Sequence, residues 1–253
     1  MNIAGVRAIV TGAARGLGAC FALQLVRAGA FVAAGDINEK GLLELKQSAA
    51  GAPGRLLTAF LDVAQERSVS EFVQSAAAGL GCVNVLVNNA GILRDGVIAR
   101  PEDGWIKKLP STQWKQVLDV NLTGVFLMVR ETLGYVLKSG ISPSVIVNIS
   151  SVTRAGNPGQ SGYAASKAGL DALTRTWALE LAPFGVRVAG IAPGVINTPI
   201  LENITQEAMD HLLAGIPLGR IGTPEEIWLA LKFILECDYF TGRTVEIDGG
   251  ASF

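Results

Sequence analysis

Tyr163 and Lys167, in the run Tyr163-Ala164-Ala165-Ser166-Lys167, stand at i and i+4 of a predicted helix, so a phenol and an ammonium share one helix face a turn apart. A phenol ionises near pH 10 and is a poor base at neutrality, but a neighbouring cation favours its ionised form. Lowering it by about three units takes roughly 4 kcal/mol, within reach of an ammonium and a second cation in a poorly solvated site. Tyr163 would then serve as general acid and base. The spacing alone arises readily on amphipathic helices, so position has to corroborate it. Ser150 and Ser151 end the predicted strand before that helix, where a hydroxyl can hold a substrate oxygen. Asn121 falls inside a long apolar helix, where an amide needs buried partners, met by a water or lysine relay.

A second set of residues has the chemistry of phosphate and ribose binding. Thr11-Gly12-Ala13-Ala14-Arg15-Gly16-Leu17-Gly18 follows the first predicted strand and opens an apolar helix. Small residues there let the backbone approach a pyrophosphate, and the helix N-terminus supplies free N–H donors and partial positive charge. Asp36 ends the second predicted strand, where a carboxylate accepts hydrogen bonds from ribose hydroxyls and repels a 2'-phosphate. NAD is thereby favoured over NADP. Arg15 is the counterweight, since a guanidinium in the loop can reach a 2'-phosphate; Asp36 weighs more.

These residues need a scaffold that brings strand ends together. Strands are predicted at Arg7 to Val10, Phe31 to Gly35, Leu56 to Leu61, Val83 to Val87, Val145 to Ile149, Val186 to Ile191 and Thr244 to Ile247. Helical patterns lie between them at Gly18 to Ala28, Glu39 to Ala49, Val69 to Ala78, Gln113 to Lys138, Tyr163 to Leu181 and Pro224 to Glu236. That alternation predicts an α/β, single-domain, Rossmann-type doubly wound parallel sheet of about seven strands, helices on both faces, spanning residues 1–253. Two segments break the rhythm, the polar stretch 92–112 and a short amphipathic helix in 200–215 between Pro199 and Pro217. Both follow carboxyl ends of strands, which makes them expected substrate loops or lids. His211, in the second, is assigned to surface or lid packing, and Trp105, Trp114, Trp177 and Trp228 to packing or subunit contacts.

Composition bounds the function. Hydrophobic residues make up 49% and charged residues 17% of 253, enough to bury a sizeable core. A net charge of -1 gives no field to draw in nucleic acid or an anionic membrane. Cys20, Cys82 and Cys237 form neither a disulfide framework nor a metal motif, and no run of about 18 apolar residues or signal-like leader occurs. A cytoplasmic protein acting on a small molecule is expected.

With these residues in place, the sequence resembles the short-chain dehydrogenase/reductase superfamily over nearly its whole length. The likeness rests on TGAARGLG (Thr11 to Gly18), Asp62-Val63, NNAG (Asn88 to Gly91), Asn121, NISS (Asn148 to Ser151), YAASK (Tyr163 to Lys167) and PGVINTP (Pro193 to Pro199). The resemblance implies that Asp62 and Val63 contact adenine and that Asn89, Ala90 and Gly91 line the cofactor. It implies that Ile196 and Thr198, beside Pro193 and Gly194, meet the nicotinamide carboxamide and phosphate, with Arg15, Leu17 and Ile37 completing the set. Lys167 also binds the nicotinamide ribose. The implied tetrad is Asn121, a serine, Tyr163 and Lys167. The family's usual spacing counts back from Tyr163 to Ser150, whereas the motif points to Ser151. We prefer Ser151, because loops tolerate a deletion and strand register does not. The implied chemistry is metal-free hydride transfer between a carbinol carbon and the nicotinamide of NAD, with protons relayed through Lys167 and water held by Asn121. By likeness the substrate is a secondary alcohol or ketone, with 3-hydroxyacyl-CoA/3-oxoacyl-CoA preferred because 92–112 and the chain's end look like type 10 hydroxysteroid dehydrogenases. Arg94, Arg100, Lys107 and Lys108 then either meet CoA phosphates or form a solvated loop. The alternatives are an NADP-dependent 3-ketoacyl-[acyl carrier protein] reductase and a general carbonyl or hydroxysteroid reductase; the intact tetrad argues against a non-enzymatic nicotinamide sensor. A homotetramer is implied by the resemblance alone.

Overall fold

The computed structural model describes residues 1–201 and 205–251, apart from the side chains at 200, 208 and 211; the assignment of His211 to lid packing therefore lies outside what is described. Seven strands form one parallel sheet: β1 Arg7–Thr11, β2 Phe31–Asp36, β3 Arg55–Phe60, β4 Val85–Asn88, β7 Ser144–Ile149, β8 Val186–Pro193 and β9 Thr244–Ile247. Their order across the sheet is β3-β2-β1-β4-β7-β8-β9. The chain therefore runs outward from β1 through β2 to β3, then returns to β4 on β1's other side. This reversal opens a crevice at the carboxyl ends of β1 and β4, the place where doubly wound sheets bind ligands. Thr11, Asp36, Asn88, Ile149 and Pro193 are the terminal residues of their strands.

The central strands are apolar on both faces because both are covered. Ala8, Val10, Val85, Val87 and Val147 point to one layer, with Phe21 and Leu25 of α1 (Gly16–Arg27), Leu42 and Leu45 of α2 (Glu39–Ser48) and Leu231 and Ile234 of α8 (Pro224–Glu236). Ile9, Leu86 and Ile146, one residue out of phase, point to the other layer, with Phe72 of α3 (Glu66–Leu80), Met128 of α5 (Gly124–Ser139) and Leu170 and Trp177 of α6 (Ser161–Leu181). This is the period-two signature of a sheet buried on both sides. A polar ladder crosses the second layer. Asn88 and Asn148 are register partners on β4 and β7, Asn88 Nδ2 donates to Asn148 Oδ1 at 2.9 Å, and Asn148 Nδ2 donates to Thr174 Oγ1 of α6 at 2.9 Å. Buried amides without such partners would cost several kcal/mol, so the ladder locks α6 to one register on the sheet.

Two segments differ from the sequence reading. The helix expected at Gln113 to Lys138 is α4 (Ser111–Leu118) and α5 joined by a π turn over Asp119–Thr123, and Asn121 sits in that turn. Ser111–Ser139 is long and apolar enough to cross a membrane by composition, but it packs against α3 and α6 as a core helix. The stretch 92–112, expected as a polar loop, contains an antiparallel hairpin, β5 (Ala99–Glu102) and β6 (Trp105–Lys108), turning through Asp103 and Gly104, both at positive φ. Two of its four expected phosphate-binding cations are already paired: Arg100 and Lys107 reach Glu102 at 2.6 and 2.9 Å. In the segment 200–215, α7 spans Gln206–Ala214. Of the tryptophans, Trp177 and Trp228 pack into the two layers, and Trp105 and Trp114 are exposed.

The approach of α1 to β1 tolerates no side chain at Gly18, where a Cβ would lie 2.1 Å from the Gly12 carbonyl oxygen. Gly18→Ala is expected to lower stability by about 3 kcal/mol or to prevent folding, read as the urea midpoint; a wild-type midpoint would show that the helix does not depend on this contact.

Candidate active site

The glycine loop is built by backbone packing. Gly12 adopts φ +63, and a Cβ there would lie 2.7 Å from Ala90 Cα. Thr11 Oγ1 accepts from the N–H groups of Asn89 and Ala90, each at 3.0 Å, and Asn89 Nδ2 donates to the carbonyls of Thr11 and Gly12, also at 3.0 Å. The loop after β4 is thus stitched to the loop after β1. α1 begins at Gly16 without a side-chain cap, leaving its first N–H groups for a ligand. Gly16 faces Thr198, since a Cβ built on it would sit 3.6 Å from Thr198 Cβ, so the segment from Pro193 to Thr198 closes over the same helix end. Ile196 is buried there, Gly194 lies against Asp248, and Arg15, Leu17 and Ile37 lie at the surface or only partly covered. Asp36 at the tip of β2 accepts from Ala14 N–H and Asn38 N–H, both at 2.9 Å. A carboxylate offers about four acceptor sites, so two backbone bonds leave acceptor capacity for ribose hydroxyls. Asp62 Oδ1 caps its own turn through Ala64 N–H, and Val63 is buried beneath Gly124. An uncapped helix end, a close backbone approach and a carboxylate at the neighbouring strand tip fit a dinucleotide.

Lys167 is the most constrained polar residue nearby. It is 4% exposed, and Nζ donates to the carbonyl of Ile149, the last residue of β7, at 2.7 Å. Desolvation pulls its ammonium down from 10.5 to about 8. Tyr163, one turn earlier, has its ring under this ammonium, with Nζ 5.4 Å from the centroid. Burial pushes the phenol above its ordinary value; the Ser151 hydroxyl counters by favouring the ionised form, and the Asp95 carboxylate adds to the rise. In the free protein, then, desolvation is the largest influence on the phenol; the lowering expected from the Tyr-Lys spacing called for a second cation besides the ammonium.

The two serines are separated by what they touch. Ser150 Oγ donates to the Lys167 carbonyl at 3.2 Å and is 2% exposed, so it is spent docking α6 on β7. Ser151 Oγ interacts with the Tyr163 phenol and caps the short turn Val152–Ala155. Asn121 is fully buried; its amide accepts from Ile92 N–H at 2.8 Å and donates to Ile92 carbonyl oxygen at 2.9 Å and Ser166 Oγ at 3.4 Å. Its side chain is therefore satisfied by a peptide group rather than by lysine. Gly91 lies between the two, since a Cβ there would be 3.4 Å from Asn121 Oδ1 and 3.7 Å from Lys167 Nζ. Sequence reasoning missed Asp95, Gln160 and Thr153. Asp95 and Gln160 hydrogen-bond beside Tyr163 while Gly96 N–H donates to the Gly159 carbonyl, contacts between distant loops that no local pattern announces.

The buried lysine has a consequence for stability. Below about pH 8 the ammonium is charged in the folded and unfolded chains and the folded state bears the full cost of burying it; above, the folded state releases its proton first, and stability rises until the unfolded lysine also titrates near 10.5. Wild type is expected to gain on Lys167→Met between pH 7 and 10 by roughly 2–4 kcal/mol in urea denaturation, and parallel pH profiles would contradict this.

Comparison with known proteins agrees with the geometry. A family model described as enoyl-(acyl carrier protein) reductase matches residues 12–252. The 3-oxoacyl-[acyl-carrier-protein] reductase FabG of Thermotoga maritima is 40% identical over 253 residues, covering 99% of this chain and 99% of that protein. The (3R)-3-hydroxyacyl-CoA dehydrogenase of Canis lupus familiaris is 35% identical over 261 residues, covering 99% and 97%. The crystal structure of a short-chain type dehydrogenase/reductase from Mycobacterium marinum superposes with a TM-score of 0.88 at 32% identity, covering 98% and 96%. With its seven-stranded sheet, glycine loop and Tyr-Lys pair, the chain belongs to the short-chain dehydrogenase/reductase superfamily and is an NAD(P)-dependent oxidoreductase.

Proposed function

We propose that the protein interconverts a 3-oxoacyl and a 3-hydroxyacyl thioester using NAD(H), with Ser151, Tyr163 and Lys167 as catalytic residues and Asn121 as the fourth member of the set. The observation that carries this reading is the convergence of Ser151 and Lys167 on Tyr163 at the carboxyl end of β7. When bound, the nicotinamide supplies or takes up the hydride. Ser151 holds the substrate oxygen through its hydroxyl, and Tyr163 gives that oxygen a proton in reduction or takes one in oxidation. Tyr163 is protonated at neutral pH, as any phenol that ionises near 10 or above is, and so can give its proton to a ketone oxygen. Lys167 holds positive charge near the phenol and, with its low desolvated value, can pass a proton onward. Asn121 fixes Ile92 and Gly91 and so shapes the wall beside the lysine.

NAD is proposed over NADP on the carboxylate of Asp36, whose charge at the tip of β2 disfavours a 2'-phosphate. Gly12, Arg15, Gly16, Leu17, Gly18, Ile37, Asp62, Val63, Asn89 to Gly91, Pro193, Gly194, Ile196 and Thr198 are proposed to line the cofactor. The thioester rests on the names of the relatives, one of which carries CoA and the other acyl carrier protein. CoA is the first reading, with Arg94 ahead of the hairpin and Lys108 at its end as the cations that Glu102 does not pair; the carrier-protein thioester, favoured by the 40% relative, is the second. Segments 92–112 and 200–215 are proposed as substrate loop and lid, and a homotetramer is proposed to cover exposed Phe126, Leu179, Phe184, Leu229 and Phe233.

Tyr163→Phe is expected to lower kcat by about 100-fold to 10,000-fold on every accepted substrate, assayed as NADH oxidation with 3-oxoacyl-CoA and 3-oxoacyl carrier protein; an active variant would sink the mechanism. Wild type is expected to show higher kcat/KM with NAD than with NADP, and Asp36→Ala to narrow the ratio by about tenfold, roughly 1.4 kcal/mol. A wild type preferring NADP would remove the basis of the cofactor assignment. Oxidation of the alcohol, which needs the ionised phenol, is expected to climb with pH while ketone reduction falls at high pH, as initial rates would show.

A further inference from the structure

The turn that follows β7 carries a second hydroxyl aimed at the first. Thr153 Oγ1 lies 3.0 Å from Ser151 Oγ, and Thr153 N–H donates to the same oxygen at 3.2 Å. A serine hydroxyl has one proton and two lone pairs. The Thr153 N–H occupies one lone pair. If Ser151 spent its proton on Thr153, it would have nothing to offer a carbonyl oxygen, which only accepts. If Thr153 donates instead, both lone pairs of Ser151 are filled and its proton must point elsewhere, toward the Tyr163 phenol and whatever oxygen lies between them. Among the described residues Thr153 Oγ1 has no hydrogen-bond partner other than Ser151, so this direction also satisfies the threonine.

The turn is held rigid enough for such an arrangement to matter. Arg154 donates to the Ser151 carbonyl from its backbone N–H at 3.2 Å and from its guanidinium at 3.1 Å. The same guanidinium pairs with Asp171 of α6 at 2.5 Å and with Glu246 of β9, and Asp171 in turn accepts from Thr244 at 3.0 Å. Asp171 lies one turn beyond Lys167 on the helix that carries Tyr163, so the guanidinium fixes the serine turn against the tyrosine helix.

We propose that Thr153 is a positioning residue whose hydroxyl donates to Ser151 and thereby fixes Ser151 as a hydrogen-bond donor toward the substrate oxygen. The proposal rests on the reading of Ser151 as the residue that holds that oxygen. Its test compares Thr153→Val and Thr153→Ser, each alone and combined with Ser151→Ala, in the full-length enzyme reducing acetoacetyl-CoA with NADH. Thr153→Val is expected to lower kcat about tenfold with the KM for NADH unchanged, and Thr153→Ser to recover to within about twofold of wild type. In the Ser151→Ala background Thr153→Val is expected to have no further effect, because the threonine acts only through the serine. Wild-type kcat in Thr153→Val, or the same tenfold loss in both backgrounds, would overturn the role of Thr153 while leaving Ser151 in place. Wild-type activity in Ser151→Ala alone would overturn the reading beneath it.

Discussion

Holding a primary ammonium out of water is costly, and one short hydrogen bond to a neutral carbonyl does not compensate it in full. Lys167 is held that way, against Ile149 at the end of β7, and the surrounding architecture serves to keep it there. The Asn88–Asn148–Thr174 ladder fixes the register of α6, and Ser150 ties the lysine's own carbonyl to the strand end. Because the cation is desolvated, it responds strongly to charge and to deprotonation, which a solvated lysine would not do. Tyr163 lies a turn away on the same helix and so receives its environment from the same packing. Its phenol is pushed up for the reason the lysine is pulled down, since a low-dielectric pocket disfavours both charged forms.

The crevice depends on a different constraint, the close approach of backbones. Gly12 and Gly18 stand where a Cβ would meet Ala90 or the Gly12 carbonyl, and Thr11 and Asn89 supply hydrogen bonds that hold the two loops together. These contacts bring the end of β4, the start of α1 and Thr198 to one place without charged side chains. That suits a ligand that brings its own negative charge, since the helix end supplies donors and partial positive charge.

Much of this was legible in the sequence because it is encoded by short-range patterns. Apolar strands alternating with helices gave seven parallel strands, and α8 begins at Pro224 and ends at Glu236 as the periodicity placed it. The Tyr-Lys spacing and the glycine loop were likewise local. What escaped notice depended on contacts between segments far apart in the chain. The π turn at Asn121 answers the Ile92 peptide, 29 residues away, and nothing in the helix pattern marks it. Hairpin β5–β6 reads as a polar loop because its strands are short, exposed and rich in charge. Ser150 and Ser151 differ in which hydroxyl faces the helix carbonyl and which faces the phenol, a distinction that residue counting does not reach and that supports Ser151 as the proposed catalytic serine. The upward push of burial on the Tyr163 phenol in the free protein was likewise not legible, as burial is a property of the fold and not of the neighbouring letter.

The central claim is that Tyr163 is the acid of the site, its ionisation opposed by burial in the free protein and favoured by added positive charge. Ultraviolet difference titration of wild type against Tyr163→Phe isolates this phenol from Tyr135 and Tyr239. The account predicts that Tyr163 ionises above the ordinary phenol value in the free protein and that the value falls when NAD is bound. A phenol that titrates at its ordinary value in the free protein, or one that NAD leaves unmoved, would contradict it.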